Sequence, residues 1–253
     1  MVKGPSTHHG LAIVVACPGA LDDFLHGVII DYEKVVHAFK DQLNFAVLPL
    51  LRAKASDIDN AMEKISEAAK NLPKNYKAIV FVFSGHGYEK YVRVQDENLK
   101  IFRDIITPLS KTFEARMPKL FFIDTCRGGK EDRGVAKRSS TATSRRREDS
   151  NELYTTAPFV PTFGNYLIGY STKLTYTSLA PSTGSYWLQC LIEELLNVHN
   201  SDMTITDILT SVNARVVAKM ANDEKYSVNR HIQQPVFVST LCQHLYFRQQ
   251  GMA

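Results

Sequence analysis

Two apolar segments of the sequence, AIVFVFSGHG (Ala78 to Gly87) and KLFFIDTCRG (Lys119 to Gly128), each end at a side chain that could be reactive. The first segment delivers His86 between two glycines, and the second delivers Cys126. Apolar runs without alternation are typical of strands that are buried on both faces of a parallel sheet. Because the carboxyl ends of parallel strands share one edge, the two segments predict that His86 and Cys126 meet there.

Further apolar runs extend this pattern along the chain. With the two above they make six predicted strands: Leu11 to Ala16, Phe45 to Leu50, Ala78 to Phe83, Lys119 to Asp124, Tyr166 to Tyr170 and Pro235 to Ser239. Between them, apolar residues recur at helical spacing around Val35 to Leu43, Ile58 to Ala69 and Ile205 to Val216, and Tyr186 to Val198 is also predicted helical. We expect Ser56 and Asp59 to form a capping box. Alternating strands and helices predict a three-layer α/β/α sandwich around a central, mostly parallel six-stranded sheet.

The composition of the 253-residue chain is that of one ordinary globular domain, with 44 % hydrophobic and 22 % charged residues. The formal net charge is only +4, and much of the basic excess lies in residues 137–149. A charge concentrated in one segment does not indicate a nucleic-acid partner. The four cysteines lack the paired spacing of a zinc site or a disulfide framework, which favours a reducing compartment. No signal peptide and no apolar run of about 18 residues occurs, so we expect a cytoplasmic protein without a membrane partner.

One segment, residues 130–150, contains only Val135 and two alanines as apolar residues. Such a composition has nothing to bury and predicts a flexible linker, which we bound at residues 137–152. A structureless segment of this length inside a compact domain is usually functional or disordered. Its position four residues after Cys126 favours a functional segment that divides the domain into residues 1–136 and 153–253.

The pairing of Cys126 with His86 is typical of nucleophilic catalysis. A thiol with its ordinary pKa of about 8.5 is mostly protonated at neutral pH, and an adjacent imidazole can accept its proton. Gly85 and Gly87 allow a tight turn that leaves main-chain N–H groups free to bind an oxyanion. The plainer alternatives are a cysteine buried as a small core residue and a histidine in a turn. The position of both residues at strand ends favours the catalytic interpretation, whereas Cys17, Cys190 and Cys242 are expected to serve packing.

The segments FSGHGYEKY and FFIDTCRGG resemble the caspase family. The resemblance continues through YLIGYST, GSYWLQCLIEELL, DILTSVNARVV and QQPVFVSTLCQHLYF, and so runs from about Gly10 to Phe247. It implies a large catalytic subunit before the linker, a small subunit after it and no long prodomain. It also implies a homodimer that pairs through the strand Pro235 to Ser239.

The same resemblance implies a cysteine endopeptidase that acts on protein substrates without a metal or an organic cofactor. Cys126 would attack the peptide carbonyl, and His86 would carry the proton to the leaving amine. The N–H groups of Gly87 and Cys126 would form the oxyanion hole.

The departures from the family pattern concern the primary specificity pocket. Caspases that cut after aspartate usually carry Gln-Ala before the cysteine, whereas this chain has Asp124 and Thr125. Two pocket arginines of such caspases match Leu25 and Ala180 here. The pattern Asp-x-Cys instead resembles paracaspases and metacaspases, relatives that cut after arginine or lysine.

A negative pocket is the physical consequence of these departures. Two unit charges about 4 Å apart interact by roughly 4 kcal/mol at an effective dielectric near 20, so Asp124 would repel a substrate aspartate and attract arginine or lysine. Asp31 and Ser178 are further candidates for substrate binding. Asp31 has an alternative role as the N-cap of the helix that contains Val35. Two other functions stay open: an ordinary Asp-specific caspase, and a catalytically silent relative that regulates an active one.

Overall fold

The structure is a computed structural model that describes residues 9–69, 76–113, 116–133, 164–223 and 232–247. The predicted linker, residues 137–152, lies outside the described residues. In the part that is described, no helix combines the length and the apolar character needed to cross a membrane.

Nine strands are described, and six of them form the central sheet. The strands are β1 (Gly10–Cys17), β2 (Phe45–Leu51), β3 (Ala78–Gly85), β4 (Gly87–Tyr88), β5 (Tyr91–Arg93), β6 (Asn98–Lys100), β7 (Lys119–Asp124), β8 (Tyr166–Tyr170) and β9 (Val236–Ser239). The order in the central sheet is β2-β1-β3-β7-β8-β9, and every pairing is parallel except β8 with β9. The predicted six-stranded, mostly parallel sheet is therefore confirmed.

Two features of the strands differ from the sequence prediction. β2 and β9 are the edges of the sheet and are partly exposed, so the prediction that all six runs are buried on both faces was wrong for these two. A small antiparallel sheet of β4, β5 and β6 follows the central strand β3. Its strands have two or three residues each, which is too short for a periodic pattern to be visible.

The helices are α1 (His26–His37), α2 (Ala55–Ala69), α3 (Thr107–Thr112), α4 (Tyr186–Leu196) and α5 (Ile205–Asn222). Wider π-helical turns continue α1 over Ala38–Gln42 and precede α3 over Ile101–Ile106. The predicted capping box of Ser56 and Asp59 was wrong, because α2 begins at Ala55 and both residues lie within its first turns. The carboxylate of Asp57 instead accepts a hydrogen bond from the Lys54 N–H at 2.9 Å.

Successive side chains along the central strands alternate between the two faces of the sheet, and each face has its own hydrophobic cluster. Val80 and Val82 of β3 belong to the cluster that contains buried residues of α1, α4 and α5. Ile79 and Phe81 belong to the other cluster, which contains buried residues of α2 and α3. The predicted three-layer sandwich is thus confirmed, and the carboxyl ends of β1, β3 and β7 share one open edge.

Candidate active site

The strand register brings the two predicted catalytic residues to equivalent positions at this edge. Ser84 of β3 is paired with Asp124 of β7, and His86 and Cys126 each follow two residues later. Gly87 packs tightly against the segment before the cysteine, since a Cβ placed on it would lie 2.7 Å from the Thr125 Cβ. Only glycine fits this contact, which holds the main chain of residue 87 beside Cys126.

His86 is held by a carbonyl from the loop that follows β1. Its Nε2 lies 2.7 Å from the main-chain oxygen of Asp23 and 3.8 Å from the Asp23 Oδ2. A carbonyl only accepts hydrogen bonds, so Nε2 carries the proton in the neutral ring and Nδ1 is the acceptor. Arg93 donates to the same Oδ2 at 2.6 Å and holds the loop in place. Asp23 was not among the predicted site residues, because the group that contacts His86 is a main-chain carbonyl, which residue identity does not reveal.

The thiol of Cys126 is half-buried and contacts the backbone of Ser178. The Sγ atom donates to the Ser178 carbonyl and accepts from the Ser178 N–H, with both distances 3.4 Å. Burial raises the pKa of the Cys126 thiol, the contact with Ser178 partly offsets this, and the charge of Asp124 raises it further. No hydrogen bond among the described residues joins Cys126 directly to His86. In the resting structure the thiol therefore contacts Ser178 and not His86.

Asp124 is the carboxylate nearest to the nucleophile along the chain, and only 4 % of it is exposed. Ser178 donates its hydroxyl to the Asp124 Oδ1 at 3.2 Å. Burial raises the pKa of Asp124 to about 6, although hydrogen bonds from Ser171, Ser185 and Ser178 oppose the shift. Two of the predicted substrate-binding residues, Asp124 and Ser178, are thus in direct contact.

Asp31 lies in the interior of α1 and is 1 % exposed. Its Oδ2 accepts a hydrogen bond from the Ser185 N–H at 2.7 Å, whereas Oδ1 has no hydrogen-bond partner among the described residues. Burial raises the pKa of Asp31 to about 8, and the neighbouring charge of Asp124 adds to this effect. Gly184, with φ of +105°, leaves room for Asp31, because a Cβ on Gly184 would collide with Oδ1.

The alternative role of Asp31 as a helix N-cap was wrong. The helix begins five residues earlier, at His26, and its N-cap position is Leu25. The side chain instead reaches a residue 154 positions away, at the start of α4. Asp31 and Asp124 therefore form one acidic pair, since Ser185 hydrogen-bonds both of them.

The positions where Asp-specific caspases carry pocket arginines hold no cation here. Leu25 precedes α1 with its N–H bonded to the Pro18 carbonyl at 2.7 Å, and Ala180 is half-buried two residues after Ser178. Arg127 follows the cysteine, but its guanidinium lies 3.7 Å from the centroid of the Tyr170 ring. The four cysteines are all free thiols.

Comparison with known proteins identifies the family. A family model described as the caspase domain matches residues 9–246. Caspase-6 of Gallus gallus is 29 % identical over 238 residues, covering 87 % of this chain and 73 % of the relative. Caspase-7 of Gallus gallus is 36 % identical over 134 residues, covering 51 % of this chain but only 41 % of the relative.

A solved structure has the same fold. The crystal structure of caspase-1 from Spodoptera frugiperda superposes with a TM-score of 0.73 at 22 % identity, covering 98 % of this chain and 93 % of that one. Together with the family match over most of the sequence, this fold establishes that the chain belongs to the caspase family.

Proposed function

We propose that this protein is an active cysteine endopeptidase that cuts protein substrates after arginine or lysine. The observation that carries the proposal is the pair of buried carboxylates, Asp31 and Asp124, linked through Ser178 to the thiol of Cys126. The family supplies the peptidase chemistry, and the acidic pair supplies the preference for a cation.

The proposed reaction begins with the transfer of a proton from the Cys126 thiol to Nδ1 of His86. The sulfur lone pair then attacks the carbonyl carbon of the scissile bond, and the carbonyl oxygen becomes an oxyanion beside the N–H groups of residues 87 and 126. Collapse of this intermediate breaks the C–N bond as His86 returns the proton to the leaving amine. Water then hydrolyses the thioester by the same route and regenerates the thiol. The Asp23 carbonyl keeps the imidazole oriented throughout.

The charge of the pocket favours a basic substrate residue on physical grounds. Removing a carboxylate from water is costly, and a guanidinium offers the Asp31 Oδ1 the hydrogen bond that it lacks. Because the pKa of Asp124 is about 6 and that of Asp31 about 8, Asp124 carries the negative charge of the pair at neutral pH, and a substrate aspartate would place a second negative charge beside it. The Coulomb energy is on the order of 4 kcal/mol for two charges about 4 Å apart, which exceeds the roughly 2.7 kcal/mol needed for a hundredfold preference.

A panel of fluorogenic peptides that differ only in the residue before the cut tests this proposal. We expect kcat/KM for arginine and lysine to exceed that for aspartate by at least about a hundredfold. Citrulline has nearly the shape of arginine without its charge and should be cleaved slowly. Asp124→Asn and Asp31→Asn should each lower the ratio of kcat/KM for arginine to that for citrulline. Asp202→Asn, which changes an exposed carboxylate, should leave this ratio unchanged.

The same panel decides between the proposal and its two rivals. A preference of the wild type for aspartate would reject the acidic pocket and establish an ordinary Asp-specific caspase. Absence of turnover on every peptide, at the level of Cys126→Ala, would identify a silent relative. Asp124, at a position where Asp-specific caspases usually carry glutamine, argues against the first rival, and the presence of both His86 and Cys126 argues against the second.

A further inference from the structure

A cavity of about 620 Å³ borders His86. Its wall includes His86, Leu21, Asp22, Phe24, Arg52 and Arg93, and none of the residues of the acidic pair lines it. The cavity therefore shares the proton-transferring residue with the candidate active site but is separate from the primary pocket.

The order of the strands assigns this cavity to one half of the substrate. The edge of the sheet runs from β2 through β1 and β3 to β7 and β8. Arg52 follows β2, residues 21–24 follow β1, and His86 follows β3, whereas Cys126 and Ser178 follow β7 and β8. Because His86 must protonate the leaving amine, the leaving half of a peptide passes the imidazole toward β1 and β2. The acyl half lies over the acidic pair.

Two cations, Arg52 and Arg93, line the cavity wall. Arg93 is paired with Asp23 at 2.6 Å, so its charge is compensated. No salt bridge of the described residues involves Arg52, which is exposed and whose guanidinium lies 5.5 Å from the Phe24 ring centroid. Its backbone is fixed, since the N–H donates to the Ala16 carbonyl at 2.7 Å. Asp22 is the opposing charge on the rim and is exposed.

The rim also offers apolar contact. Leu21 is 96 % exposed, which for a leucine beside a catalytic histidine leaves a large apolar surface without a partner in the described chain. Phe24 lies behind it as part of the wall.

We propose that this cavity binds the residues that follow the scissile bond and that Arg52 selects an acidic side chain among them. The proposal rests on the proposed peptidase function and deepens it. Adjacent strands are about 4.8 Å apart, so the end of β2 lies roughly 10 Å from the end of β3. An extended peptide advances about 3.3 Å per residue, which places Arg52 beside the second or third residue after the cut.

Internally quenched peptides that span the cut test the proposal. All carry arginine before the cut, and glutamate, glutamine or lysine is placed in turn at each of the first four positions after it. For the wild type we expect glutamate to exceed lysine in kcat/KM on the order of fivefold at the second or third position, the size of one ion pair near water. Added salt should shrink this ratio because the groups are exposed.

Substitutions of the two charged residues of the cavity wall, Arg52 and Asp22, should change the ratio of kcat/KM for the glutamate peptide to that for the lysine peptide in opposite directions. Arg52→Glu should invert it, and Asp22→Asn should increase it. Lys54→Glu, which changes an exposed cation outside the cavity wall, is the matched control and should leave it unchanged. Each kcat/KM is divided by the value for a short substrate whose leaving group is a fluorescent amine. This division corrects for any general loss of activity in a variant.

The outcomes separate this inference from the proposed function. Equal kcat/KM values for glutamate, glutamine and lysine at all four positions after the cut would overturn the inference. A glutamate preference that survives Arg52→Glu would also overturn it, and both results would leave cleavage after arginine intact. If no peptide is cleaved, the proposed function fails. In that case the dissociation constants of the glutamate and lysine peptides for Cys126→Ala decide the inference, since equal affinities would overturn it.

Discussion

Ser178 holds Cys126 through both of its main-chain polar groups, while its hydroxyl donates to Asp124. One residue therefore joins the nucleophile to the acidic pair. A cationic side chain that binds Asp124 would donate to its carboxylate and so compete with the Ser178 hydroxyl for the same acceptor.

The ionisation of the acidic pair should make the preference for a charged substrate depend on pH. The pKa values of about 6 for Asp124 and about 8 for Asp31, both raised mainly by burial, mean that the pair is protonated at low pH and becomes negative as the pH rises. We expect the ratio of kcat/KM for arginine to that for citrulline to increase between about pH 5.5 and pH 8.5. Any pH dependence of the chemical step that the two substrates share cancels in this ratio.

Removal of one carboxylate provides the control for this profile. In the Asp31→Asn variant, the increase in the ratio of arginine to citrulline near pH 8 should disappear. The increase near pH 6, which reflects the ionisation of Asp124, should remain. A ratio that stays constant over the whole range in the wild type would show that the pair does not contact the substrate cation.

Cleavage of the predicted linker is a second expectation, and it concerns residues outside the described part of the chain. Residues 137–149 contain five basic residues, among them the run Arg145 to Arg147, but only one aspartate, Asp149. We expect the purified wild type to carry new termini after one of Arg145 to Arg147, because polar segments with few apolar residues are readily cut and an acidic pocket would select basic residues. Intact-mass measurement detects the fragments.

The comparison with Cys126→Ala decides whether the enzyme cuts itself. Termini that persist in this variant indicate another protease, and termini after aspartate support the Asp-specific alternative. Asp132, just before the linker, is a poor site because its carboxylate pairs with Lys173 at 2.5 Å and its carbonyl accepts from the Ile232 N–H at 2.8 Å.

Whether a feature of the fold or the site could be predicted from the sequence depends on how far apart along the chain the contacting residues lie. The strands were predictable because β1, β3 and β7 are buried on both faces, which produces apolar runs visible in a single sequence. The placement of His86 and Cys126 at one edge followed from the parallel pairing of β3 with β7. The contact of Asp31 with Ser185 joins residues 154 positions apart, and no local pattern encodes it. The carbonyl of Asp23 is a main-chain group, which residue identity does not reveal.

The outer edge of β9 should form a dimer interface. β9 is the last strand of the sheet, and Val238 on it is 54 % exposed. An open apolar edge strand favours pairing with another strand. We expect a homodimer in which two six-stranded sheets join through antiparallel β9 strands, and Val238→Lys should weaken it. Sedimentation velocity at micromolar concentration measures this, with Val198→Lys as the control at a similarly exposed valine off the sheet. A fully active monomer would contradict the expectation.

Asp31 should also destabilise the folded protein as the pH rises. In the native state its pKa is raised to about 8 by burial and by the charge of Asp124, whereas an unfolded aspartate has the ordinary value of 3.8. Between these two values the native state binds more protons than the unfolded state, so the free energy of unfolding falls with increasing pH. The stabilisation by the protonated carboxyl is complete below about pH 4 and is lost by about pH 8. The loss is on the order of a few kcal/mol.

The Asp31→Asn variant tests this linkage, because an amide keeps the shape of the carboxyl group but does not titrate. Urea unfolding of Cys126→Ala with and without Asp31→Asn, at pH 5 and pH 8, gives the free energies without interference from self-cleavage. The free energy of unfolding of the Asp31→Asn variant minus that of its parent should be larger at pH 8 than at pH 5. For Asp202→Asn, which changes an exposed carboxylate, we expect the same difference at both pH values. Parallel pH dependence of the parent and the Asp31→Asn variant would mean that Asp31 ionises normally in the native state. The acidic pair would then be more hydrated than its burial implies.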